Sequence, residues 1–177
     1  DGNDMLFGGD QEDTILGGDL NDTISGGNQA DSILGEAGED SILGDGSNDT
    51  IEAGDGKDVV DGGQGQDSIL GEGGTDSILG GSEDDFIDGG DDNDTIAGGA
   101  DDDEILGDAG RDLLYGDDGD DTIDGGTEDD RIYGGNGEDS LLGDSGADTI
   151  FGGADDDTID GGGENDSIFG DDGNDSL

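Results

Sequence analysis

Gly62-Gly63-Gln64-Gly65-Gln66-Asp67-Ser68-Ile69-Leu70 is one of twenty repeats, on a period of nine residues, that follow one another without a slip. The aspartate recurs as Asp4, Asp13, Asp22, Asp31, Asp40, Asp49, Asp58, Asp67, Asp76, Asp85, Asp94, Asp103, Asp112, Asp121, Asp130, Asp139, Asp148, Asp157, Asp166 and Asp175. Two places after each stands an aliphatic residue, from Leu6 and Ile15 to Ile168 and Leu177. Two places further stands glycine, from Gly8 to Gly170, with Ala53 the one exception. A period held this strictly means stacked repeats, each leaning on its neighbours, rather than a globular core.

Within the unit, the first six residues carry turn chemistry, because glycine reaches positive φ without cost. Ser68-Ile69-Leu70 reads as a very short strand whose single inward side chain is the aliphatic. Alternating turns and strands give a coil of eighteen residues with two strands on opposite sides. Coils stacked about 4.8 Å apart would form two parallel sheets, a two-sheet β-solenoid of about ten coils and roughly 45 Å. Its core would be fifteen Ile, four Leu and one Val.

Composition shows what such a core lacks. The chain has 177 residues, of which 54 are acidic and 3 basic, for a formal charge of -51. With 25% hydrophobic and 3% aromatic residues it sits among chains that stay unfolded on their own. Cysteine is absent, so no disulfide substitutes for the missing core. The charge argues against nucleic acid and anionic membranes as partners, and no stretch is apolar enough for membrane insertion. Without His, Cys or Trp, and with Lys57, Arg111 and Arg131 the only bases, no catalytic residue is expected; the chain is not read as an enzyme.

Aspartates eighteen apart stack on one edge of such a coil. Carboxylates about 4.8 Å apart repel unless a cation lies between them. Carboxylate and carbonyl oxygens, without imidazole or thiolate, select calcium over zinc or copper. Two columns of ten leave eighteen gaps. One divalent ion in each would carry 36 positive charges and bring the formal charge from -51 to -15.

The unit resembles the Gly-Gly-x-Gly-x-Asp-x-(aliphatic)-x repeat of RTX proteins, and the resemblance covers the whole chain. It implies an all-β, right-handed parallel β-roll over residues 1–177 as a single domain. It also implies ions held between successive coils by the aspartates and by carbonyls of loops such as Gly62–Gly65. Proteins of this kind are secreted by bacteria through type I export and fold in external calcium, so an extracellular or cell-surface location is expected. Because the chain starts inside a unit at Asp1-Gly2-Asn3-Asp4 and stops at Leu177, it reads as a segment of something longer.

The chain departs from the pattern in places. Glu36, Glu72, Asp108 and Asp144 replace the second glycine; Glu83, Asp92, Asp101, Glu128, Asp155 and Glu164 replace the third. Gly44-Asp45-Gly46-Ser47 loses both. One outer face alternates Leu34, Glu52, Leu70, Asp88, Leu106, Asp124, Leu142 and Asp160, a rhythm of 36 residues that reads as block duplication. The other ends in Tyr115, Tyr133, Phe151 and Phe169, one per coil. These four read either as a ladder that braces the sheet or as a strip that binds other domains or copies of the parent protein.

Overall fold

The structure is a computed structural model that describes residues 2–177. Nineteen strands form two wholly parallel sheets, of ten and nine strands. Strands alternate between the sheets along the chain, so each coil contributes one strand to each. Every pairing is offset by eighteen residues: Leu6 faces Ile24, Ile42 faces Val60, and Ile105 faces Ile123. The β-solenoid and its eighteen-residue coil are therefore as the period requires. The twentieth unit adds no strand, only an isolated bridge from Thr158 to Ser176. Among the described residues no helix is long and apolar enough to cross a membrane.

The core is two rows of aliphatics, one from each sheet, packed into one cluster. Ile24, Ile33, Ile42, Ile51, Ile69, Ile87, Ile96 and Ile105 are fully buried, as is Leu114. Leu6 and Ile168 lie half-covered near the two ends. A slot of constant width favours the same branched side chain at every level, since interiors tolerate little change in volume.

Two expectations need correction. The strand is longer than three residues throughout the ten-stranded sheet and in the first half of the nine-stranded one. Ser68–Gly74 pairs with Thr50–Gly56 on both sides of Gly71, from Ile69 with Ile51 to Gly74 with Gly56, so the register runs on into the loop. Strands of three residues occur only later in the nine-stranded sheet, from Phe86–Asp88 to Thr158–Asp160. Nor is the aliphatic the only inward side chain. The sixteen aspartates from Asp22 to Asp157 are 0–4% exposed. Alternation accounts for this: the aspartate stands two places before the aliphatic and the first glycine two places after, so all three face inward.

Candidate metal centre

Each inward aspartate is tied to the coil before it. The Asp22 Oδ1 accepts the Asp4 N–H at 2.7 Å, the Asp85 Oδ1 accepts that of Asp67 at 2.7 Å, and the Asp175 Oδ1 accepts that of Asp157 at 3.1 Å. The same bond spans every gap in both columns. One carboxylate oxygen thus serves as a rung between coils, an arrangement that repulsion within a column did not suggest.

The second oxygen is left bare. Oδ2 of all sixteen buried aspartates has no hydrogen-bond partner. It lies beside the inward glycine of its own loop. A Cβ placed on Gly62 would stand 2.6 Å from the Asp67 Oδ2 and 2.6 Å from the Gly80 carbonyl oxygen of the following coil. Glycine here makes room for two oxygens to approach; only Ala53 puts a methyl group at this place.

Burying an ionised carboxylate with an unpaired oxygen is costly. The columns show that cost as raised pKa values, caused first by desolvation, relieved in part by the backbone N–H, and raised again by neighbouring carboxylates. Asp130 is pushed up to about 8. Asp49, Asp85, Asp94, Asp103 and Asp139 reach about 7. Asp58, Asp67, Asp112 and Asp121 reach about 6. A cation beside Oδ2 would remove that penalty, so these residues fit a hard divalent ion. Among the described residues no three His, Cys, Asp or Glu side chains cluster closely enough to hold one alone. Loop carbonyls such as that of Gly80 must complete the donor set.

The second and fourth places of the loops carry a feature the sequence did not announce. Fifteen non-glycine residues there have positive φ, among them Leu20 at 77°, Glu36 at 75°, Ser47 at 81° and Glu83 at 72°. The acidic replacements of glycine keep the backbone shape that glycine was there to permit.

Tyr115, Tyr133, Phe151 and Phe169 stand in register on the outer face of the ten-stranded sheet. Their rings stack at centroid distances of 5.0, 4.9 and 4.8 Å, with interplanar angles of 10°, 5° and 10°. Ahead of Tyr115 the register partner is Ala97, too small to cover a ring. Beside this end of the ladder is a depression of about 470 Å³ lined by Asn93, Arg111, Arg131, Tyr115 and Tyr133. It gathers both arginines and both tyrosines of the chain. Their spacing of 20 and 18 residues was the available signal, since it places them on adjacent coils.

The family model for the RTX calcium-binding nonapeptide repeat matches residues 1–24, 16–51, 34–69, 43–78, 70–105, 79–114, 115–150 and 142–177. Among curated proteins none matches.

Proposed function

We infer that this chain, which belongs to the RTX calcium-binding nonapeptide repeat family, is a calcium-binding repeat domain whose folding is governed by the ion. The observation that carries the reading is the row of sixteen buried, unpartnered Oδ2 atoms. The aspartates from Asp4 to Asp175 would hold calcium together with loop carbonyls, one ion to each of the eighteen gaps. Calcium supplies positive charge where the packed coils bring carboxylates together. At the low calcium of a cell interior the chain stays extended and exportable. Outside, at the roughly 0.1–1 mM affinities of extracellular modules, it folds. It then serves as a stiff spacer and scaffold in a secreted or surface protein, without catalysis of its own.

Circular dichroism tests this. At neutral pH with EDTA the chain is expected to give a coil spectrum, and millimolar calcium to produce β signal cooperatively. A calcium-free chain with full β signal at neutral pH overturns the reading.

A second reading, adhesion or assembly through the Tyr115, Tyr133, Phe151 and Phe169 strip, draws support from the gathering of both arginines and both tyrosines at its end. Alanine at all four positions would then abolish attachment to a partner domain or surface while calcium-induced folding persists. Unchanged attachment removes this reading.

A further inference from the structure

The two outer faces of the roll differ in charge. On each strand the residues flanking the core aliphatic point outward, which gives twenty outward positions on the ten-stranded sheet and eighteen on the nine-stranded one. The nine-stranded face carries five acids, Glu52, Asp88, Glu104, Asp124 and Asp160. The ten-stranded face carries one acid, Asp61, and one base, Arg131, in a chain with 54 acidic residues. Eleven of its other positions are aliphatic or aromatic. Among them Leu43, Val59 and Leu79 are 41%, 52% and 39% exposed, although each has a coil on either side. A nearly uncharged apolar strip along a polyanion marks a contact surface.

Charge and shape along this strip are arranged about its middle. Asp61 is two pairings from Ala97 on one side, through Leu79, and Arg131 is two pairings from Thr95 on the other, through Leu113. Thr95 and Ala97 belong to one strand and are small. The aliphatic Leu43 and Leu79 occupy coils before it, and the rings of Tyr115, Tyr133 and Phe151 occupy coils after it. A second copy turned about a two-fold axis along this strand would run antiparallel and match the two halves. Leu79 then lies opposite the partner's Tyr115, Leu43 opposite the partner's Phe151, and Asp61 over the strand that carries the partner's Arg131. Arg111 is already paired with Asp129 at 3.8 Å, whereas Arg131 makes no ion pair among the described residues.

We propose that the outer face of the ten-stranded sheet binds the same face of a second copy, in a two-fold antiparallel dimer closed by two Asp61–Arg131 ion pairs. The inference rests on the calcium reading above, which supplies the folded roll, and gives the assembly reading a definite partner. Sheets pack face to face about 10 Å apart with their strands nearly aligned, and an axis along the strand keeps that alignment. A two-fold interface is self-complementary, so each contact occurs twice.

Sedimentation equilibrium in saturating calcium tests this. The unmodified chain of 17.5 kDa is expected to reach twice that mass as concentration rises. R131D and D61R should each weaken the dimer on the order of a hundredfold, because each brings like charges together, and the double variant D61R/R131D should restore it. A control on the other face, L70D, should leave the dimer unchanged. A folded chain that stays monomeric at every concentration overturns the proposal and leaves the calcium reading standing. A dimer that the single charge variants leave intact, that L70D breaks, or that the double variant fails to restore also overturns it. If D61R does not fold, R131K against R131D decides: a dimer kept by the first and lost by the second supports the proposal, and equal behaviour overturns it. A chain that does not fold in calcium refutes the calcium reading and this proposal together.

Discussion

Leu20 is the plainest case of backbone strain in the molecule. It sits at φ 77° with 55% of its surface exposed, so it neither fills the core nor provides a charge. Replacing it by glycine keeps its N–H bond to the Ala37 carbonyl and removes the clash of a Cβ in a left-handed backbone. Leu20→Gly should therefore stabilise the calcium-loaded roll by about 1 kcal/mol, read as a higher melting temperature. The buried aspartates make a second prediction, about pH. An aspartate of the unfolded chain titrates near 3.8, whereas among the buried ones Asp58 is raised to about 6, Asp49 to about 7 and Asp130 to about 8. The folded, ion-free chain then binds more protons than the unfolded one, and protons favour the fold. That contribution is complete below the unfolded value and is lost as pH rises through about 6–8. In EDTA, β signal should grow as pH is lowered toward 4 and vanish by pH 8. In calcium the dependence reverses, because proton and ion compete for the same oxygens, and apparent affinity should fall as the medium is acidified through that range.

At the scale of the strand, in-register stacking repeats every choice of side chain along a row. The Leu–acid rhythm on the nine-stranded sheet pairs Leu34 with Glu52, Glu52 with Leu70, and Leu106 with Asp124. Like charges are thereby kept two coils apart, and direct opposition in a sheet would be unfavourable. The aromatic row uses the same register for attraction. Tyr133 has a stacked ring on each side and Phe169 on one only. Tyr133→Ala should accordingly cost about twice as much as Phe169→Ala, with each stacked pair worth about 0.5–1.5 kcal/mol. Ile96→Ala, at a fully buried level of its row, should cost about 2–5 kcal/mol. Thermal unfolding in saturating calcium measures all three. The register, the rows of isoleucines and the columns of aspartate were legible from spacing alone, because a solenoid turns sequence period directly into spatial rows. The inward turn of Asp67 and its relatives was less so, because burying a carboxylate looks prohibitive until the backbone N–H that meets Oδ1 is known. The positive φ of Leu20 and Glu83 was not legible at all, because a loop of glycines and acids permits it but does not impose it.

Taken whole, the molecule is a rod with a thin interior and two columns of buried acid. The aliphatic rows give the coils their spacing and the Oδ1 rungs give them alignment, but sixteen bare oxygens and a formal charge of -51 act against them. Calcium-binding repeats of the RTX family meet that deficit with the one component the chain does not encode. The most direct measurement is an anomalous-scattering map from crystals grown in saturating calcium. The account predicts a calcium peak against the bare Oδ2 in each gap between coils; an intact roll whose gaps hold no ion would contradict it.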